Sequence, residues 1–294
     1  MFIFSLNKII IKNIIIILLF SFIILNMLIG IITVPYDTTD SYISYDHIRM
    51  LEHFKLKIYP IPYNTSNHKI HFDNINALYI PSGIVSKDKN KNNNKDELLK
   101  FINCCDIFLN LAIQSNNNGS IFPIWGTCLG METLIKAIDN NIKLSKIYAY
   151  DNYLIPLKPT KEGMLHSEII KNMKEDVLKE WMTNNVELHN HGLGITPSQF
   201  NKSKLLSNMF YIVSIGNDKN NKAFVSLIEG RKYPFYGAQW HPEVSKKTWI
   251  LFEVFLNKIQ KKSSKKNLNI LKGTIKDCKD YSDNLYKKCV FYKL

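Results

Sequence analysis

The chain has no internal repeat, no recognised nucleic-acid-binding motif and only five cysteines among its 294 residues. Without a repeat, a solenoid or propeller is excluded. Without a motif, the net charge of +13 attaches to no element that reads nucleic acid, and nucleic acid is set aside as a partner. The cysteines are Cys104, Cys105, Cys128, Cys278 and Cys289. No cysteine or carboxylate cluster stands beside the close pair His189 and His191, so their spacing does not read as a metal site. Neither a metal nor an organic cofactor is expected. No Ala-x-Ala-like pattern follows the apolar N-terminus, so no signal-cleavage position is legible.

What is present is enough apolar material for a large core, 46% of the residues. Strand-like apolar runs recur at 28–34, 57–62, 77–81, 121–125, 210–214 and 223–229, with helical patterns at 41–54 and 97–115 between them. Such alternation predicts a layered α/β fold with a largely parallel sheet. Ligands of such sheets gather beyond the carboxyl ends of the strands.

Just beyond one such end lies Gly126-Thr127-Cys128-Leu129-Gly130. An apolar strand, a tight glycine-flanked turn with cysteine at its apex, and a following helix make the pattern of a nucleophile elbow. The glycines allow a crowded, strained turn. A helix start favours the thiolate, and a thiolate attacks carbonyl carbon. Such a nucleophile needs a base and an orienter. In Gln239-Trp240-His241-Pro242-Glu243 the imidazole and the carboxylate are two apart, on one side of an extended segment. Glu243 can fix the tautomer of His241 while the other ring nitrogen faces Cys128. The backbone N–H of Leu129, next after the nucleophile, is the natural first oxyanion donor.

Together, the stretches 122–134 and 233–243 resemble the class I glutamine amidotransferase-like superfamily, and within it the gamma-glutamyl hydrolase family. Weaker likeness at 28–32, 42–45, 51–52 and 78–83 extends the resemblance over roughly residues 27–260. It implies an α/β, flavodoxin-like layered fold and a cysteine hydrolase with a Cys128–His241–Glu243 triad. Its implied substrate is a folylpoly-γ-glutamate, cleaved at its γ-glutamyl bonds. Glu132 stands where amidotransferase glutaminases usually carry Gln. The resemblance implies that it holds the substrate's terminal glutamate through the amino group, while the plainer reading is a favourable first-turn acid. The second oxyanion donor is implied to be Gly83 of Pro81-Ser82-Gly83, where the family has glycine in place of Ser82 and where glycine is free to take a positive φ. An ordinary turn is the other reading of that triplet. His191 matches a histidine that lines the family's substrate cleft, and His189 reads as a surface residue. Two other functions stay open: the glutaminase of an amidotransferase, and a non-catalytic, membrane-tethered binding protein.

At the N-terminus, Lys8 and Lys12 precede an apolar run at 14–25, which reads as a secretory signal or an uncleaved anchor over residues 1–26. A secretory route ending in a vacuole, a lysosome or the exterior is expected, with membrane contact only through that segment if it is uncleaved. Three acceptor sequons begin at Asn64, Asn118 and Asn201. A homodimer stays open. Residues 86–95 read as a flexible insert bordering the cleft, whose basic mouth would steer a polycarboxylate. Residues 258–294 carry eleven Lys against three Asp, and residues 261–294 read as a solvated basic extension. Contact of that tail with an anionic surface is the functional alternative. Cys278 and Cys289 are placed to close a small loop, while Cys104 and Cys105 read as buried thiols.

Overall fold

The computed structural model describes residues 27–36, 40–84, 93–259, 273–277, 285 and 288–293. The apolar run at 14–25, residues 86–92 of the insert and Cys278 lie outside the described residues. In chain order the strands are β1 (Leu28–Ile32), β2 (Val34–Pro35), β3 (Asp40–Ser44), β4 (Lys57–Ile61), β5 (Ala77–Ile80), β6 (Ile124–Thr127), β7 (Ser145–Ile155), β8 (Glu187–Gly194), β9 (Phe210–Asn217), β10 (Ala223–Gly230), β11 (Phe235–Ala238), β12 (Thr274–Asp277) and β13 (Lys288–Lys293).

Seven of these form the central sheet in the order β4-β1-β5-β6-β11-β10-β9. The first five run parallel, and β10 and β9 close one edge antiparallel. Both faces are covered, which is why the parallel strands read as near-continuous apolar runs. Ile124 faces one layer, with Phe101, Phe108 and Leu134 of the helices Asn93–Asn117 and Leu129–Ile138. Its neighbour Trp125 faces the other, with Met50 and Leu51 of the helix Tyr45–His53 and with Phe252 and Phe255 near the end of the domain. Cys104 and Cys105 lie buried and unbonded on the long helix, as expected. β7 and β8 form a separate two-stranded ribbon, and β12-β13-β3-β2 a small second sheet.

Three local expectations give way to longer-range contacts. Residues 41–54 do not form one helix. Their first part is β3, paired on both sides by β2 and β13, and the helix starts only at Tyr45. The pairing partner β13 lies at the far end of the chain, where no local pattern can reveal it. The strand before Cys128, β6, starts at Ile124 rather than at residue 121 and runs on through Thr127. Before it, the backbone of Phe122 is taken by the Asn116 side chain, which donates to its carbonyl at 2.9 Å and accepts from its N–H at 3.1 Å. The basic tail is not solvated throughout: Cys289, Val290 and Tyr292 of β13 are buried against the domain, and Cys289 is disulfide-bonded. The insert also contributes regular structure, since the helix begins at Asn93.

Crowding at the elbow sets the glycine requirement. A Cβ on Gly130 would stand 2.1 Å from the carbonyl oxygen of Ile80 on β5, and one on Gly126 would stand 2.7 Å from the Gly130 backbone. Neither neighbour is a flexible side-chain end, so the helix would have to lift off the sheet. Gly130→Ala is therefore expected to cost about 3 kcal/mol or more in chemical denaturation. A loss under about 1 kcal/mol would mean that the turn is looser than described.

Candidate active site

Cys128 sits between β6 and the helix Leu129–Ile138 with φ 50° and ψ −105°, a left-handed conformation that is strained for a residue bearing a side chain. Two backbone bonds fix it there. Its N–H donates to Ala238 at the end of the neighbouring β11 at 2.7 Å, and its carbonyl accepts the Glu132 N–H at 3.0 Å as the first bond of the helix. The side chain is thereby held out of the helix ladder, above the carboxyl edge of the sheet. Only 8% of the residue is exposed.

The thiolate expected from a helix start is not what the surroundings favour. Burial pushes the Cys128 thiol well above its ordinary range, and the carboxylates of Glu132 and Glu243 push the same way. The Leu129 N–H and the Gln239 amide pull back, but less. Gln239 is fully buried, and its role is not legible in the sequence. Its Nε2 donates to Glu132 Oε1 at 2.9 Å and lies 3.9 Å from Cys128 Sγ, while its Oε1 has no partner among the described residues. Glu132 keeps some surface, yet enclosure of its carboxyl raises that group to about 7, against the Gln239 hydrogen bond. Cys128, Glu132 and Gln239 thus form one contact group.

His241 and Glu243 follow β11, which lies beside β6, so their turn starts at the same sheet edge as Cys128. His241 Nδ1 meets Glu243 Oε1 at 3.0 Å, with both side chains buried. The turn is braced from outside: the His241 N–H donates to Leu188 of β8 at 2.8 Å, and Trp249 Nε1 donates to the Glu243 carbonyl at 2.9 Å. Ser82 and Gly83 follow β5, the other neighbour of β6. Gly83 has no positive φ; a side chain there would collide with Val34 and the Tyr42 hydroxyl, 2.8 and 2.9 Å from a Cβ. Glycine is needed at that point for room, not for a left-handed turn.

A family model described as glutamine amidotransferase class-I matches residues 37–258. The chain belongs to this amidotransferase family. It is 28% identical over 229 residues to gamma-glutamyl hydrolase B of Dictyostelium discoideum, covering 75% of this chain and 63% of the relative. Identity to gamma-glutamyl hydrolase of Homo sapiens is 31% over 175 residues, covering 60% of this chain and 51% of the relative. The matched stretches thus span less than two thirds of these relatives' own length. The fold is also similar to the crystal structure of a Thermoplasma acidophilum protein assigned to GMP synthase, with a TM-score of 0.51 and 14% identity over 79% of this chain and 92% of that one.

Within this amidotransferase-family domain one of the two β8 histidines is not placed as expected. His189 is fully buried rather than on the surface. Buried polar groups need partners, and these have them. His191 Nδ1 donates to the Leu193 carbonyl at 2.7 Å, so its Nε2 accepts from His189 Nδ1 at 3.0 Å. His189 Nε2 then meets Glu187 Oε2 at 3.1 Å. Burial raises Glu187 to about 8 and drives both histidines well below their ordinary value, so the carboxyl keeps its proton and donates it along the chain. His191, with both ring nitrogens engaged internally, offers a ligand its ring edge rather than a free nitrogen. Its Cε1 and Gln239 Oε1 both approach Gly194, each 3.9 Å from where a Cβ would stand, which sets β8 beside the Cys128 group. Among the described residues no three His, Cys, Asp or Glu side chains converge on a metal position.

The charge around sulfur gives a test. Glu132→Gln removes one of the two carboxylates that disfavour the thiolate. Near pH 8, where Glu132 is ionised, Cys128 of the variant is expected to react with iodoacetamide about fivefold faster than wild type or more. Near pH 5.5 the wild-type carboxyl is already protonated and the two rates should converge. The same ratio at both pH values, with labelling read at the Cys128 peptide, would remove Glu132 from the thiol's electrostatic surroundings.

Proposed function

We propose that this protein is a cysteine hydrolase that cleaves γ-glutamyl bonds of folylpolyglutamates through a thioester on Cys128. The observation that carries the reading is the strained Cys128 elbow with the His241–Glu243 pair at the end of the adjoining strand. The similarity to gamma-glutamyl hydrolases supports the bond, and the folate portion of the substrate comes from the resemblance in the motifs.

Because its surroundings keep Cys128 a thiol, its proton passes to His241 as the sulfur attacks the γ-carbonyl carbon. Glu243 holds the ring by Nδ1 and stabilises the imidazolium. The oxyanion takes hydrogen bonds from the N–H groups of Leu129 and Gly83. Collapse breaks the C–N bond, and His241 returns its proton to the departing amine. Water then gives a proton to His241 and adds to the thioester. Loss of sulfur frees the carboxylic acid, and Cys128 recovers its proton. Glu132 accepts a hydrogen bond from a substrate glutamate nitrogen, held toward the cleft by Gln239, and His191 lines the cleft by its ring edge.

The full chain is expected to shorten a pteroyl-polyglutamate, and Cys128→Ala is expected to abolish it, with products separated by chromatography. Absence of cleavage by the folded wild type would end the folate assignment and direct the search to glutamine and other γ-glutamyl amides.

We also propose a secretory route. Asn64, Asn118 and Asn201, the three sequon asparagines, are all exposed. Expressed in a eukaryotic secretory host, the protein should lose apparent mass on treatment with an N-glycosidase, and Asn→Gln changes at the three positions should remove that shift. A chain of unchanged mobility would speak against the route.

A further inference from the structure

Behind the oxyanion loop lies a buried histidine that the motifs do not mark. His47 is carried by the helix Tyr45–His53 and has no exposed surface. Its Nε2 lies 2.7 Å from Ser82 Oγ and 3.7 Å from Glu243 Oε1. Its Nδ1 lies 2.8 Å from the Tyr79 hydroxyl, which is 2.9 Å from Thr127 Oγ1. Thr127 in turn accepts from Trp125 Nε1 at 3.0 Å. One ring therefore touches the loop after β5, faces the acid of the His241 pair, and reaches through Tyr79 to the residue before the nucleophile.

The protonation state follows from this enclosure. Burial holds the His47 pKa down to about 4, against the opposing pull of the Glu243 carboxylate. The ring is neutral and carries one N–H. The nearby carboxylate favours that proton on Nε2, where it donates to Ser82. Nδ1 then accepts from Tyr79, whose oxygen accepts from Thr127. Every donor in the series points from the nucleophile strand toward the loop. Ser82 stands where the resembling family has glycine, and its hydroxyl is what His47 grips.

We infer that His47 is a positioning residue for the reaction proposed above, clasping Ser82 so that the oxyanion loop keeps a fixed distance from Glu243 and the nucleophile strand. The role rests on the hydrolase reading. It acts on the geometry of the tetrahedral intermediate and not on substrate affinity, so its signature is a loss of kcat at nearly constant KM.

The experiment uses the full chain and a pteroyl-polyglutamate. His47→Phe keeps the ring and removes both hydrogen bonds; kcat should fall about 100-fold, with KM within about threefold of wild type. His47→Gln restores an amide donor near Nε2 and should recover at least about a tenth of wild-type kcat. Ser82→Gly, which burdens folding least, should lower kcat about tenfold, and the double variant His47→Phe/Ser82→Gly should be no slower than His47→Phe alone. Wild-type activity with kcat of His47→Phe within about threefold, or with losses that multiply in the double variant, overturns the clasp while leaving the hydrolase reading intact. A folded wild type that cleaves no γ-glutamyl bond overturns the hydrolase reading, and the clasp falls with it.

Discussion

The close approach of the helix Leu129–Ile138 to the sheet is the constraint on which the site depends. Gly130 leaves no room for a methyl group against Ile80, and Gly126 leaves none against Gly130. With the helix drawn this near, the residue between strand and helix can close the gap only in a left-handed conformation, and Cys128 takes it. The strain is sustained by bonds on both sides, from Cys128 to β11 and from Glu132 into the helix. The Leu129 N–H is thereby turned toward sulfur, where it favours the charged form. Packing, strain and a pre-aimed donor are one arrangement, set by two glycines.

Electrostatics around the sulfur run opposite to the simple helix-start expectation. Partial positive charge at one helix end is a modest effect, and burial in a low-dielectric site is a larger one. Two carboxylates add to the burial. A site of this kind keeps its thiol protonated at rest, which limits stray alkylation and oxidation, since both need the thiolate. Gln239 moderates the arrangement by joining sulfur and the Glu132 carboxyl through one amide.

How much of this was legible in the sequence follows the range of the interactions. Four of the five parallel strands announced themselves because burial on both faces makes their residues apolar without interruption, and the elbow did so because its glycines stand in sequence beside the cysteine; β11, only four residues long, passed unread as a strand inside the second motif. His241 and Glu243, two residues apart, form their contact within one turn. β3 was hidden, since the strand that stabilises it comes from the far end of the chain. Gln239 lay in plain view inside a motif, but only the fold brings Glu132 to its amide. The burial of His189 was hidden for a different reason. No apolar run marks 187–194 as a strand, so its polar residues read as outward-facing, and here Glu187, His189 and His191 satisfy one another inside. The hydroxyl of Ser226, at a register shift in β10, donates to Glu187 at 2.5 Å and closes that network.

The C-terminal strand packs beside the same edge of the domain. β13 pairs with β3 from Cys289 opposite Ser44 to Lys293 opposite Asp40. Ser44 is the residue before the helix that carries His47. Val290 and Tyr292 pack in the cluster that holds Met50 and Leu51 of that helix. β3 has only the two-residue β2 on its other side, so most of its ladder bonds depend on β13. The strand from the basic extension therefore supports the start of the helix that carries His47, whose Nε2 lies 2.7 Å from Ser82 Oγ in the loop after β5. A segment whose composition marks it as solvent-facing is, over these six residues, part of the support for the sheet edge beside Cys128.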